Sequence, residues 1–192
     1  MATIHKMENS LKKEHAGQAR YNRFYKEILH ATKIIRVGYE TPEEKILQQY
    51  DIDLFAIIDE ERIAISEKNR GRDFNDILIE FYSLYPDKRG WMDYSKAQKL
   101  AYFTPTKIFW IDKLQLINFY KQHLLKLPAE KHFDKLLRTG KPIESAEFTI
   151  LGKSEKIDFI AAYNPGYVTM SISVSFDLLK RAGVQFKQFD FQ

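Results

Sequence analysis

The stretch from Asp51 to Lys68 has the sequence DIDLFAIIDEERIAISEK, and it decides the fold that we predict for the chain. Two short apolar runs lie on either side of the polar segment Asp59 to Arg62, which predicts an antiparallel hairpin of two strands. Antiparallel pairing places the beginning of the first strand beside the end of the second. We therefore expect Asp53, where the first strand begins, to lie close to Glu67 and Lys68, where the second strand ends.

The segments before this hairpin predict helices and one short strand. Apolar residues recur at helical spacing from Ala19 to about Ile35, and residues 34–39 are partly β-branched, which predicts an amphipathic helix followed by a short strand. The pair Thr41-Pro42 has the chemistry of a helix start, because threonine can cap a first turn and proline suits its first position. We predict that this helix ends near Gln49, and that the polar residues 1–18 form a flexible lead-in.

The segments after the hairpin alternate between strands and helices. We predict strands at residues 77–82, 107–111, 147–151, 156–163 and 167–174, with a helix as the alternative at 77–82. We predict helices at residues 95–103 and 113–125, a helix or turn at 176–182, and helix and loop mixed over 128–145. This order predicts an α/β fold in which a mixed β-sheet is flanked by helices. The chain of 192 residues suits one domain, so we predict a single domain over residues 1–192.

The composition restricts the class of protein. Hydrophobic residues make up 44% of the chain, which is enough for one sizeable core, and the absence of cysteine excludes disulfides and thiolate metal sites. The net charge of +4 is mild and favours a polyanionic partner only slightly. No apolar run approaches the roughly 20 residues of a membrane span, and the N-terminal segment lacks the apolar region of a signal peptide. We therefore expect a soluble cytoplasmic protein with no membrane partner.

Asp53, Glu67 and Lys68 form a set of side chains that suits phosphodiester chemistry. Neighbouring carboxylates repel each other unless a cation joins them, and hard divalent ions such as Mg²⁺ or Mn²⁺ prefer oxygen ligands. Such an ion activates water and polarises a phosphoryl oxygen, while an adjacent lysine neutralises charge on the phosphate. Glu80 interrupts the apolar run ILIEFY and is a further candidate ligand. The alternative is that all of these charges are surface groups at strand ends.

Five short motifs follow one another over a little more than a quarter of the chain. They are Gln48-x-x-x-Ile52-Asp53, Ile65-Ser66-Glu67-Lys68-x-Arg70, Ile79-Glu80, Gly90-Trp91 and a lysine-containing segment ending in Ala101-Tyr102. Their order and spacing resemble small phage and bacterial proteins of the PD-(D/E)XK nuclease superfamily. The resemblance implies a restriction-endonuclease-like core, which we place at about 19–125, and the strands predicted after it form a C-terminal extension over about 128–192. It also implies Asp53 as a metal ligand, Lys68 as the catalytic lysine, and hydrolysis of DNA or RNA by a metal-activated water.

The chain departs from the superfamily pattern at one position. The usual acid lies two residues before the lysine, where this chain has Ser66, and its acid is Glu67 instead. Neighbouring residues of a strand point to opposite faces of a sheet, so Glu67 would need a β-bulge to turn towards the site. Otherwise Glu80 supplies the second carboxylate, or Glu44 does so from the helix before the first strand, where related nucleases often carry an acid. The remaining alternative is a degenerate site in a protein that only binds nucleic acid.

Several polar residues around this set are candidates for contacting nucleic acid. Gln48 lies one helical turn after Glu44, Arg70 and Arg72 follow the second strand, and Lys96 lies in the next predicted helix. We expect DNA rather than RNA as the partner, in a bacterial or phage-infected cell, with a homodimer as one arrangement that nucleases use. A third alternative is a protein-interaction or inhibitor protein whose charges are surface features.

Overall fold

The hairpin forms as β2 (Leu54–Ile58) and β3 (Glu61–Asn69) in the computed structural model, which describes residues 17–190. Leu54 pairs with Ile65, and the two strands meet at a tight turn. The turn residues Asp59 and Glu60 have φ values of 50° and 67°. Positive φ at both central residues is typical of a type I′ turn, whose twist matches that of the strands it joins. The predicted hairpin is therefore confirmed, and its turn uses two acidic residues where glycine or asparagine is usual.

The hairpin lies within a six-stranded mixed sheet with the order β1-β2-β3-β6-β7-β11. Its other strands are β1 (Lys33–Arg36), β6 (Lys99–Phe103), β7 (Lys107–Asp112) and β11 (Phe186–Asp190). β3 and β6 run parallel, with Lys68 opposite Tyr102, and the other neighbouring pairs are antiparallel. The end of β3 is therefore flanked by β6 in the middle of the sheet.

A second, antiparallel sheet has the order β5-β4-β10-β9-β8. Its strands are β4 (Asp76–Leu84), β5 (Lys88–Arg89), β8 (Ile143–Ile150), β9 (Lys153–Asn164) and β10 (Tyr167–Ser175). The predicted α/β fold with a mixed sheet and helices is confirmed. The strand predicted at 77–82, however, lies in this second sheet, because β4 pairs with β10, far along the chain, and not with the hairpin. The C-terminal strands predicted at 147–151, 156–163 and 167–174 are confirmed as β8, β9 and β10, although β8 ends at Ile150.

Helices pack against both sheets. They are α1 (residues 17–28, π-helical over Phe24–Ile28), α2 (Pro42–Gln49), α3 (Lys113–Phe119, continued as a π-helix over Tyr120–Leu124), α4 (Ala129–Thr139), α5 (Phe176–Arg181) and a 3₁₀ turn at Trp91–Asp93. The start of α2 is confirmed, because the Thr41 side chain accepts from the Glu44 amide in a capping box. Within residues 17–190, no helix is long and apolar enough to cross a membrane.

Three predicted segments differ from the structure. The helix predicted at 95–103 is wrong, because Lys99–Phe103 forms β6: Leu100 and Tyr102 are buried in one core and Ala101 and Phe103 in another. A strand buried on both faces lacks the polar alternation that distinguishes strand from helix. The first helix ends at residue 28, not near Ile35, and the following strand is Lys33–Arg36. Of the predicted lead-in, residues 1–16 lie outside the described residues, and residues 17 and 18 are helical.

Candidate active site around Lys68

Asp53 and Lys68 lie beside each other where β2 begins and β3 ends. Lys68 Nζ is 3.9 Å from Asp53 Oδ2, and the same oxygen accepts a hydrogen bond of 2.6 Å from the Glu67 amide. That hydrogen bond fixes the Asp53 carboxylate at the strand end. The other oxygen, Oδ1, accepts no hydrogen bond from any residue in the described part of the chain. The structure thus places the two residues beside each other, as the hairpin predicts.

Asp51 forms ion pairs with both Lys68 and a second lysine, Lys113. Asp51 Oδ1 accepts from Lys68 Nζ at 2.5 Å, and Asp51 Oδ2 accepts from Lys113 Nζ at 2.9 Å. Lys113 is fully buried at the start of α3, and its ammonium lies 3.7 Å from the centre of the Trp91 ring. Trp91 is itself buried, so it serves as a cation–π partner and not as an exposed stacking surface.

This network sets the charge states of its members. Burial opposes ionisation of Asp51, but the charges of Lys113 and Lys68 outweigh burial and hold the Asp51 pKa below its ordinary value. Burial likewise opposes the charge on Lys68, but Asp51 and Asp53 outweigh it and raise the Lys68 pKa. Burial raises the pKa of Asp53 despite the opposing charge of Lys68. Lys68 is therefore a firmly protonated cation.

Lys113 differs from Lys68 because burial dominates. Burial lowers the Lys113 pKa from 10.5 to about 8, although Asp51 acts in the opposite direction. The unfolded chain therefore binds more protons than the folded protein between these two values, and stability rises with pH across that interval.

We expect the free energy of unfolding of the wild type, relative to Lys113→Met, to rise by about 2 kcal/mol between roughly pH 7 and pH 10. Urea unfolding of both proteins over this range checks it, and parallel pH curves would contradict it.

Glu67 points to the opposite face of the sheet from Lys68. Its carboxylate accepts from Tyr25 Oη at 2.8 Å and from Arg36 Nη1 at 2.8 Å. β3 pairs with β2 and β6 without a register shift, so the bulge that would turn Glu67 towards Lys68 does not form. Ser66, at the position of the usual acid, is fully buried, and its Oγ has no hydrogen-bond partner among residues 17–190.

The two other candidate acids lie apart from each other. Glu44 caps the loop before α2, where its carboxylate accepts from the Gly38, Glu40 and Thr41 amides, and these bonds lower its pKa. Glu80 lies on β4, and burial raises its pKa despite the opposing charge of Lys68. Gly90 packs directly on the Glu80 backbone, because a Cβ at residue 90 would lie 1.9 Å from the Glu80 carbonyl oxygen. Glu44 and Glu80 are therefore held by separate parts of the fold.

The predicted nucleic-acid contacts have different surroundings. Gln48 donates from Nε2 to the Val37 carbonyl oxygen at 3.0 Å. Arg70 pairs with Asp76 at 3.0 Å, and Lys96 lies 3.5 Å from the centre of the Tyr50 ring. Arg72 is exposed in the loop after β3. Gln48, Arg70 and Arg72 line open grooves beside Lys68, and Lys96 is not among the described residues that line them.

Two open grooves meet at Lys68. The helix groove, of about 850 Å³, is lined by residues of α1, α2 and the strand ends, including Tyr21, Arg36, Glu44, Asp53 and Glu67. The sheet groove, of about 840 Å³, is lined by the loop after β3 and by the outer face of the second sheet, including Arg72, Phe74, Glu80, Tyr167 and Ser171. Lys68 and Asn69 line both grooves. Both volumes are typical of ligand clefts, which are about 300–1,000 Å³.

The side chains present can support a divalent ion only in an open, hydrated form. No group of three or more His, Asp or Glu side chains among residues 17–190 is arranged to hold a metal. Mg²⁺, however, keeps several waters and commonly uses one or two carboxylates together with substrate phosphates. Among residues 17–190, Asp53 offers one oxygen without a hydrogen bond, whereas Glu67 lines the same groove with both oxygens held by Tyr25 and Arg36. This donor set fits an ion that is completed by substrate.

Sequence reasoning missed Asp51 and Lys113. Asp51 stood in the quoted stretch as one of two acids before β2, but its partner Lys113 lies 62 residues away. One signal was present at Lys113, since a lysine in the first turn of a helix opposes the helix dipole and needs another partner.

Comparison with protein-family models, with curated proteins and with solved structures finds no match to this chain.

Proposed function

We propose that this protein is a divalent-metal-dependent nuclease with a restriction-endonuclease-like core, which hydrolyses phosphodiester bonds in DNA or RNA. One observation carries the proposal: the ammonium of Lys68 lies between Asp51 and Asp53 at the place where two open grooves meet. A polyanion that crosses from one groove to the other would pass this lysine. The motif order described above is in keeping with the same function.

Each residue of the site has a role that follows from its surroundings. Asp53 would hold Mg²⁺ or Mn²⁺ through Oδ1, which accepts no hydrogen bond among residues 17–190. Glu67 lines the same groove, but Arg36 and Tyr25 hold both of its carboxylate oxygens. When bound, such an ion supplies an activated water and charge stabilisation at the phosphate. Lys68 stabilises negative charge that develops on the phosphate, and its raised pKa makes it a poor base for taking a proton from water. Asp51 positions Lys68.

Metal removal and the variant Asp53→Asn test the proposal. We expect cleavage of DNA or RNA in Mg²⁺ or Mn²⁺, no cleavage in EDTA, and at least about a 100-fold lower rate for Asp53→Asn, because a neutral amide is a much weaker ligand. Cleavage is measured on labelled single-stranded and double-stranded substrates. Asp190→Asn is the matched control, since Asp190 is an exposed aspartate on β11 and should leave the rate unchanged. If the wild type cleaves none of these substrates with either ion, the proposal is wrong.

A nucleic-acid-binding protein with a degenerate ion site is the second candidate. Glu67 favours it, because this carboxylate is occupied by Arg36 and Tyr25, and because Ser66 stands where the superfamily has its acid. This candidate predicts salt-sensitive binding that survives Asp53→Asn, without cleavage by the wild type. Measuring binding and cleavage on the same proteins separates the two functions.

A further inference from the structure

We infer that the sheet groove binds single-stranded nucleic acid by stacking unpaired bases on Phe74 and Tyr167. The inference rests on the proposed nucleic-acid ligand, and it specifies the class of substrate and the surface that holds it. It does not require that the protein cleaves what it binds.

The floor of the sheet groove is the outer face of the antiparallel sheet. Strand pairing places Glu80 of β4 opposite Ser171 of β10, Ser171 opposite Ile160 of β9, and Ile160 opposite Ile143 of β8. These residues therefore share one face, and each lines the groove. Four adjacent strands span about 14 Å at a spacing of roughly 4.8 Å. The floor is thus wide enough for an extended strand with its bases spread on one side.

Two aromatic rings mark the ends of this floor. Tyr167 is the first residue of β10, and Phe74 lies two residues before Asp76, which pairs with Ser175 at the other end of β10. Both rings line the groove, and they are 45% and 47% exposed. Large aromatic side chains are usually buried, so an exposed ring at each end of one groove points to a ligand with flat, apolar faces.

The charge of the groove complements a phosphate backbone. Among the described residues, Lys68, Arg70 and Arg72 line it and Glu80 is the one acid that does so. Burial raises the pKa of Glu80. Arg70 pairs with Asp76 and lies 4.6 Å from the centre of the Phe74 ring, so it steadies that ring. Arg72 is exposed, and Lys68 is placed where the groove meets the helix groove. Basic side chains interleaved with exposed rings are the usual means of binding single strands.

The exposed rings favour a single strand over a duplex. In a duplex the bases are paired and stacked on one another, so their faces are closed to protein side chains. An unpaired strand instead presents each base face, and stacking on an aromatic ring tolerates any base. A strand that lies on this floor passes Lys68 at the wall of the groove, which places its backbone at the proposed site of cleavage.

Fluorescence anisotropy in EDTA tests the inference without cleavage. The probes are labelled oligothymidylate and a duplex of the same length. We expect oligothymidylate to bind at least about tenfold more tightly than the duplex, and Tyr167→Ala and Phe74→Ala each to weaken that binding by about tenfold. Tyr167→Phe keeps the ring and should bind as the wild type does.

Tyr163→Ala is the matched control for Tyr167→Ala. Tyr163 is a tyrosine of similar exposure, 47%, four residues earlier, but it does not line the sheet groove, and its hydroxyl donates to the Leu136 carbonyl oxygen at the end of α4. We expect its removal to leave oligothymidylate affinity unchanged. Circular dichroism and urea unfolding confirm that each variant is folded under the binding conditions.

The salt dependence of binding provides an independent readout. A phosphate contact made by Arg72 contributes about 0.7 to the slope of log affinity against log salt for a single strand, so Arg72→Ala should lower the slope by that amount. Equal binding of duplex and single strand, or equal loss in Tyr163→Ala and Tyr167→Ala, overturns the inference. Cleavage that persists unchanged in the Phe74 and Tyr167 variants also overturns it, while the nuclease proposal stands. Ring-dependent binding without any cleavage would support the inference and contradict the nuclease proposal.

Discussion

Asp51→Asn is expected to lower the free energy of unfolding by about 3 to 5 kcal/mol, which is the usual cost of removing one partner of a buried ion pair. Lys113 is fully buried, and its ammonium has the Asp51 carboxylate at 2.9 Å as its ionic partner. With asparagine at 51, that ammonium must lose its charge or remain uncompensated in the core. Asparagine also tolerates the positive φ of 56° at residue 51, so the variant tests the charge and not the backbone. Urea unfolding near neutral pH measures the loss.

A double-mutant cycle separates the ion pair from general damage to the core. Asp51→Asn/Lys113→Met removes both charges, so its loss of stability should be smaller than the sum of the two single losses. Asp53→Asn is the control within the network, because the Asp53 side chain is 26% exposed and Lys68 keeps Asp51 as a partner. A loss below about 1 kcal/mol for Asp51→Asn, or strict additivity in the cycle, would contradict a structural role for this ion pair.

Local sequence signals predicted the parts of the fold that local interactions determine. The β2–β3 hairpin depends on two neighbouring apolar runs, and the start of α2 depends on Thr41 and Glu44, three residues apart. β6 was missed because it is buried on both faces, so its polar alternation is absent. The partner of β4 could not be predicted either, since β10 lies about ninety residues further along the chain and nothing in β4 identifies it.

The candidate site shows the same division. Asp53 and Lys68 come together through the register of one hairpin, which the sequence determines. Strand alternation also predicted that Glu67 would face away from Lys68 unless a bulge formed, and the continuous register shows no bulge. The ion pair between Lys113 and Asp51 depends on how α3 packs against the sheet. Local sequence patterns do not predict a contact between residues so far apart in the chain. The supporting charges of the site were therefore beyond sequence reasoning.

Lys68→Met is expected to reduce the rate of metal-dependent cleavage by about 100- to 1,000-fold, the usual effect of removing one electrostatic donor from a phosphate or oxyanion site. Methionine keeps most of the length of the side chain but has no charge. Asp51 retains Lys113 as its partner, so the stability of the fold should change by less than about 1 kcal/mol. The loss should therefore appear mainly in kcat, and oligothymidylate affinity measured in EDTA should fall by no more than one phosphate contact contributes.

The controls distinguish this role of Lys68 from a general effect of charge. Lys153→Met removes an exposed lysine at the β8–β9 turn and should leave both rate and affinity unchanged. Lys68→Arg keeps the charge and should retain more activity than Lys68→Met, but less than the wild type, because guanidinium geometry does not match the narrow position between Asp51 and Asp53. If Lys68→Met loses affinity in proportion to rate, Lys68 only binds the backbone. If it keeps the full rate, Lys68 is not the catalytic lysine, and the charge stabilisation of the reaction must come from another group.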